Sequence, residues 1–140
     1  MGMPRTFHEA KTALASGTTT VTAMTVAALA KARASAHLNI FLELFEESAL
    51  AQAASIDAKL AQGAAGPLAG AIVSIKDNLC YAGHRVSAGS RMLENYVSPF
   101  SATVVERMLA ADAVILGRTN CDEFAMGSSN ETSAYGAVAN

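Results

Sequence analysis

The pattern of apolar positions changes near residue 65. Before that point apolar residues recur three or four apart, and after it they gather into short continuous runs. The first pattern predicts amphipathic helices, and the second predicts strands that are covered on both faces. We therefore expect one domain over 1–140, with a helical segment over 1–65 and the start of an α/β core over 66–140.

Three helices are expected in the first segment. Ser16-Gly17 ends the first helix, and Thr22 or Thr25 caps a second helix that runs to about His37. Gly63 ends the third helix. The apolar faces of the second and third helices are formed by Val26, Leu29 and Ala30, and by Leu50, Ala53, Ala54, Ile56 and Leu60.

The second segment predicts a βαβ unit. A turn cluster at 66–70 opens a strand over 71–76, and a wholly apolar strand follows over 113–116. The helix between them begins at a capping box, Thr103-Val104-Val105-Glu106, and runs to about Ala111 with Val104, Val105, Met108 and Leu109 as its apolar side. The two strands should be parallel and the crossover right-handed. Residues 39–42 also look extended.

Lys76 is the leading candidate for chemistry because it ends the strand 71–76. Ligands bind beyond the carboxyl ends of parallel strands, and the loop 117–130 follows the second strand at the same edge. Lys76 could therefore meet Ser128 or Ser129, and partial desolvation at the strand rim would lower its pKa enough to make it a base. The alternatives are ordinary ones: a strand-end lysine that extends into water, and serines that stabilise a turn. Asp77 is expected to be a turn residue or ion-pair partner rather than a base.

Composition excludes several classes. Hydrophobic residues make up 51% and charged residues 16%, mean hydropathy is +0.28, and the net charge is −2 with no basic block, which argues against nucleic-acid binding. The two cysteines form no disulfide framework, and Cys80 and His84 lack a third ligand, so we expect no metal site. No apolar run reaches the length of a membrane span, and a cytoplasmic location is expected.

Five motifs together point to a family. They are GPLAG at 66–70, IKDN at 75–78, ATVVE at 102–106, GRTN at 117–120 and DEFAMGSS at 122–129. In this order and spacing they resemble the amidase signature family. The last motif resembles most closely the A-subunit branch of the glutamyl-tRNA(Gln)/aspartyl-tRNA(Asn) amidotransferases. The resemblance implies the N-terminal part of the amidase signature fold, an α/β fold whose mixed central sheet is covered by helices.

The resemblance also implies a mechanism. Lys76 aligns with the lysine of a Ser–Ser–Lys triad, in which it deprotonates a bridging serine that activates the nucleophile for attack on an amide, here that of glutamine. Gly127, Ser128 and Ser129 align with a loop that lines the substrate pocket. Both triad serines are expected beyond Asn140, so the 140 residues alone should be inactive. Asp112 stands where the family commonly has glycine, and aspartate tolerates the left-handed backbone.

The implied partners follow from the A-subunit resemblance. The chain itself should bind no cofactor. Ammonia would pass to a B subunit, which uses ATP and magnesium to amidate misacylated tRNA, while a small C subunit braces the pair; contact with tRNA is indirect and no membrane is involved. Three alternatives stay open: a general amidase acting on small amides, a non-catalytic module that docks through its helical N-terminus, and a free-standing Ser–Lys hydrolase that uses Ser128 or Ser129.

Overall fold

Four helices and three strands make up the fold, as described by a computed structural model for residues 4–140; the first three residues of the expected helical segment lie outside that range. The elements are α1 (Phe7–Ala15), α2 (Val21–Ala34), β1 (Phe41–Leu44), α3 (Glu46–Ala61), β2 (Ile72–Lys76), α4 (Thr103–Ala110) and β3 (Val114–Thr119). Short 3₁₀ turns lie at Ala36–Leu38, Arg91–Leu93 and Glu123–Ala125. The α/β class predicted from the sequence is confirmed.

The sheet has the order β1-β3-β2 and is mixed. Strands β2 and β3 are parallel, with Lys76 opposite Thr119, so the predicted strand–helix–strand unit is present. Strand β1 runs antiparallel to β3, with Leu44 opposite Gly117. It begins two residues later than the extended stretch expected at 39–42, because Asn39 takes a left-handed conformation with φ 55°.

Strand β3 is longer than its apolar run predicts. It continues through Gly117, Arg118 and Thr119. At Gly117 a side chain has no room, since a Cβ there would lie 2.4 Å from the carbonyl oxygen of Glu43 in β1. The apolar run ends at residue 116, and a glycine followed by an arginine does not predict a buried strand. Contacts with distant parts of the chain nevertheless bury both residues in β3.

The core forms on both faces of β3. Val114 packs against α2 and α3 on one face of the sheet, and its neighbour Ile115 packs against α4 on the other. The two residues separate in this way because successive strand residues point to opposite faces. The first cluster consists of Val21, Ala49, Ala53, Ile56, Ala69 and Val114, and the second of Phe45, Ile75, Val105 and Ile115. Both faces of the central strand β3 are thereby shielded from water, as expected for a strand whose residues are apolar on both sides.

The helix ends at glycine were predicted well. Helix α1 ends at Ala15 and α3 at Ala61, and Gly17 and Gly63 follow them with φ of 68° and 67°. The assignment of the α3 face is only partly correct: Ala53 and Ile56 are buried as expected, and Leu50 is half-buried, whereas Ala54 and Leu60 are exposed and Ala49 takes their place in the core.

The start and face of α2 differ from expectation. Its cap is Thr20, whose hydroxyl accepts a hydrogen bond from the Ala23 amide at 3.0 Å; Thr22 and Thr25 lie inside the helix. The helix ends at Ala34 rather than near His37. Leu29 is buried as expected, but Val26 is 51% exposed and Ala30 is exposed, while Val21, Met24 and Thr25 are buried instead.

The predicted capping box of α4 does not form. Ala102 precedes the helix and offers no side-chain hydrogen bond, so Thr103 is already the first helical residue. Val105 is buried and Met108 and Leu109 are half-buried, as the predicted face requires, whereas Val104 is 47% exposed. Because the helix starts one residue earlier than the box predicts, Thr103 does not occupy the cap position from which its hydroxyl would accept from a free amide.

Candidate active site around Lys76

The ends of β2 and β3 meet at one pocket. Lys76 is the last residue of β2, and the segment that follows β3 folds back across it. The pocket is open and polar, has a volume of about 300 Å³, and is lined by Lys76, Asn120, Cys121, Asp122, Gly127, Ser128, Ser129 and Asn130. The structure therefore brings Lys76 together with Gly127, Ser128 and Ser129 at the carboxyl edge of the parallel strands, where such sheets bind their ligands.

Lys76 itself is exposed, which corrects the expectation of partial desolvation. Within residues 4–140 its ammonium group forms neither an ion pair nor a hydrogen bond, to the two serines or to any other group. The cause is the opposite wall: Gly127, Ser128 and Ser129 are exposed as well, so water reaches the lysine across the pocket.

Asp77 is an ion-pair partner, as the sequence suggested. Its side chain is fully buried, and its carboxylate accepts hydrogen bonds from the amides of Ser87 (3.0 Å) and Gly89 (2.9 Å) and from the Ser87 hydroxyl. The Arg118 guanidinium donates to the same carboxylate and, through Nε, to Glu43 at 3.0 Å. With every acceptor position occupied, Asp77 anchors the loop behind Lys76 instead of moving protons.

The loop at 87–89 carries the segment that follows β3. Ala88 and Gly89 have φ of 50° and 67°, and a Cβ at Gly89 would lie 2.5 Å from the carbonyl oxygen of Cys121. The amide of Phe124 donates to the Ala88 carbonyl at 2.7 Å, and that of Ala134 donates to the Gly89 carbonyl at 2.8 Å. Main chain thus packs directly on main chain below the pocket.

Asp122 organises the wall of the pocket. Its buried carboxylate accepts from the amide of Asn130 at 2.9 Å and from the amide and hydroxyl of Thr132 at 3.0 and 2.9 Å. These hydrogen bonds stabilise the charged carboxylate and hold the pKa of Asp122 below its ordinary value despite burial. The bond from the Thr132 amide makes the largest contribution to this lowering. The carboxylate is therefore ionised at neutral pH.

Asn120 holds the turn after β3 and caps no helix. The turn after β3 is a 3₁₀ turn at Glu123–Ala125 with Asp122 before it, and no side chain caps it. The Asn120 side-chain oxygen instead accepts from the Cys121 amide at 2.9 Å and from the Ser133 hydroxyl at 2.6 Å. Asn120, Cys121 and Asp122 were not expected in the pocket. Their position directly after a parallel strand is the signal that could have revealed them.

Cys121 lies beside Lys76 without being reactive. Burial raises the pKa of its thiol, the charge of Asp77 adds to that rise, and Lys76 opposes it without cancelling it. The thiol stays protonated at neutral pH, and thiolates, not thiols, are nucleophiles. The lysine and the serines are therefore the groups in this pocket with useful chemistry.

Other parts of the surface offer less. Across residues 4–140 no three carboxylate, imidazole or thiol side chains cluster so that they could hold a metal ion. His84 stacks on Tyr81 with ring centroids 4.1 Å apart, so packing accounts for it. A separate groove of about 380 Å³ between α1, α2 and β2 is mostly apolar, and among the described residues that line it Arg5 carries the one titratable side chain. No helix in the described chain is long and apolar enough to cross a membrane.

Comparison with known proteins agrees with this geometry. The Amidase family matches residues 23–140, which is most of the chain. The chain therefore belongs to the amidase family. Within that family it is similar to the A subunit of the glutamyl-tRNA(Gln) amidotransferase of Bordetella petrii, at 52% identity over 94% of this chain and 26% of that protein. The chain thus spans about a quarter of the length of that relative.

Solved structures give the same fold. The native peptide amidase of Stenotrophomonas maltophilia is 31% identical over 96% of this chain and 29% of its own, with a TM-score of 0.84. The A subunit of the glutamyl-tRNA(Gln) amidotransferase of Thermotoga maritima is 36% identical over 76% of this chain and 21% of its own, with a TM-score of 0.58. Backbone similarity does not favour the amidotransferase over other amidases, whereas sequence identity does.

Proposed function

We propose that this chain forms the lysine-bearing part of the A subunit of a glutamine-hydrolysing amidotransferase. One observation carries the proposal: Lys76 lies at the carboxyl edge of two parallel strands, in one pocket with Gly127, Ser128 and Ser129. The identity of 52% to the Bordetella petrii amidotransferase chain supports this choice over other amide hydrolases.

In this proposal Lys76 acts as a base in its neutral form. It takes a proton from a serine, and that serine deprotonates the nucleophilic serine, which attacks the glutamine amide. The proton held by Lys76 returns through the first serine to the leaving nitrogen, so the step gives an acyl-enzyme and ammonia. Water then releases glutamate. An ammonium group has no free electron pair and cannot accept a proton, so the complete enzyme must keep water out of the pocket for the neutral amine of Lys76 to form.

One wall of the pocket suits an amide group. The hydroxyls of Ser128 and Ser129 can each donate and accept a hydrogen bond, which are the two interactions that an amide requires. The ammonia would serve a B subunit that uses ATP and magnesium to amidate misacylated tRNA, with a C subunit bracing the complex in the cytoplasm. In this scheme the present chain binds neither cofactor nor tRNA.

The test is glutamine hydrolysis by the full-length gene product with Lys76→Met. We expect the rate to fall by about 100- to 10,000-fold, the usual contribution of a general base. Thermal stability should change little because the side chain is exposed. Lys31→Met, at an exposed site on α2, is the matched control and should keep full activity. Undiminished hydrolysis by the Lys76 variant, or hydrolysis by residues 1–140 alone, would contradict the proposal.

A general amidase is the second candidate, and the TM-score of 0.84 to a peptide amidase favours it. It would use Lys76 in the same way on a different amide. Ammonia release measured with and without misacylated Glu-tRNA(Gln), ATP and the B subunit separates the two. Stimulation by these components indicates the amidotransferase, and turnover of amino-acid amides without them indicates the general amidase.

A further inference from the structure

The segment 127–132 carries one wall of the pocket but has little support of its own. Among the described residues, the main-chain groups of 127–131 form no hydrogen bond with other main-chain groups. The Ser129 hydroxyl donates to Glu131 within the same segment, at 2.9 Å. Such an exposed stretch has many accessible conformations unless a side chain elsewhere restrains it.

Asp122 supplies that restraint. One of its oxygens accepts from the Asn130 amide, and the other accepts from the amide and hydroxyl of Thr132. Asp122 is 5% exposed, so water competes little for these bonds. Asn130 has φ 62°, and the bond to its amide stabilises this left-handed conformation in a residue type that tolerates it.

Gly127 closes the arrangement from the other side. A Cβ at Gly127 would lie 2.4 Å from the carboxyl carbon of Asp122, so the carboxylate rests directly against the glycine backbone. The fit leaves no room for a further methylene, and glutamate could not replace aspartate without moving the segment. Asp122 therefore fixes the backbone on both sides of Ser128 and Ser129, at Gly127 before them and at Asn130 after them.

We propose that Asp122 is a positioning residue for the pocket at Lys76, setting the backbone of 127–132 that faces the lysine and hence the binding of the amide substrate. The inference rests on the function proposed above, and it extends that function to a residue that need not touch the substrate. Asp122 acts through Gly127, Ser128 and Ser129. Its loss should therefore weaken substrate binding more than it slows the chemical step.

The test compares Asp122→Asn with Asp57→Asn in the full-length protein. Asparagine keeps the shape but offers one acceptor where two are needed, and it turns an N–H group towards an amide donor. Asp57 is the matched control because it also accepts hydrogen bonds from two amides and a threonine hydroxyl, those of Val21 and Thr22, and none of these three residues lines the pocket. Both variants should lose stability, but only the first should disturb the pocket.

Two readouts follow. Hydrogen–deuterium exchange of the Asn130 and Thr132 amides should quicken about tenfold or more in Asp122→Asn, as expected for lost charge-assisted bonds, and stay unchanged in Asp57→Asn. The KM for glutamine should rise about tenfold in the first variant with kcat within about threefold, and neither constant should change in the second. Unchanged exchange in Asp122→Asn overturns the inference, as does an equal rise in KM in both variants.

Failure of the underlying function gives a different result. If Lys76→Met still hydrolysed glutamine, the proposed mechanism would be wrong. The difference in exchange between the two aspartate variants would nevertheless support the control of 127–132 by Asp122.

Discussion

Asp112 shows how a single side chain can do more than its sequence context suggests. The resemblance indicated a position that tolerates the left-handed backbone, and φ is indeed 66°. The structure adds that the buried carboxylate accepts from the Gly66 amide at 2.6 Å and from the Lys59 ammonium at 2.5 Å. Burial alone would raise the pKa of Asp112, but these bonds and the charge of Lys59 outweigh it and lower the pKa.

Asp112→Asn should therefore destabilise the protein in a pH-dependent way. Asparagine tolerates the same φ, so the loss of about 1–2 kcal/mol at pH 7 reflects the charged hydrogen bonds alone. Because the folded-state pKa is lowered, this contribution is fully present above the unfolded pKa near 4 and disappears as the pH falls through the folded value. Urea unfolding at pH 7, 5 and 3 measures it. Glu106→Gln, at an exposed carboxylate on α4, is the control. Parallel pH profiles for Asp112→Asn and the wild type would contradict the argument.

Among the helices, the start of α2 shows where local pattern is insufficient. Thr18, Thr19, Thr20 and Thr22 all have the chemistry of a cap, and only the path of the chain selects Thr20. Asp57 of α3 then binds the free amides of Val21 and Thr22 at 2.7 and 3.0 Å. A helix that begins against another helix is capped by both its own sequence and its neighbour.

Substitutions at this helix start should separate the two caps. Thr20→Ala should cost about 1 kcal/mol of unfolding free energy, the usual value for a lost cap. Asp57→Ala should cost about 1.5–3 kcal/mol because it removes a charged acceptor from two amides. Thr19→Ala, a threonine that caps nothing, should stay within about 0.5 kcal/mol. Thermal unfolding ranks the three variants, and a larger effect at Thr19 than at Thr20 would disprove the assigned cap.

Across the sheet, Arg118 joins all three strands through charge. It lies in β3, pairs with Glu43 of β1, and reaches the fully buried Asp77 that follows β2. A buried carboxylate is stable only while its partners remain, since its desolvation is otherwise uncompensated. The network therefore holds the end of β2, and with it Lys76, in register with β3.

Arg118→Met should be the most damaging of these substitutions. It preserves much of the volume but leaves Asp77 buried without its cation, and the expected loss is about 3–5 kcal/mol. The exposed Arg107 on α4 provides the control, and Arg107→Met should have an effect below about 0.5 kcal/mol. Chemical denaturation measures both. A loss below about 1 kcal/mol at Arg118 would mean that the serine and amide donors alone satisfy Asp77.

The residues around Lys76 show how far a linear sequence can be interpreted. The helix ends at Gly17 and Gly63, strand β2 and the parallel pair it forms with β3 were all predicted, because each depends on spacing or on residues a few positions apart. The edge that brings Lys76 beside Ser128 and Ser129 was predicted from that parallel pairing, because the loops after parallel strands meet at one edge of the sheet. Motif resemblance indicated the family, which the match over residues 23–140 then established.

Other features depend on contacts between distant parts of the chain. These are the third strand on β3, the burial of Arg118 against Asp77, the two-part cap of α2, and the role of Asp122 beneath the pocket. The exposure of Lys76 also depends on a distant part of the chain. Whether water reaches a lysine depends on the wall opposite it, and that wall lies some fifty residues further along the chain. Local preferences act over a few residues, whereas burial and charge pairing are decided only when distant segments meet.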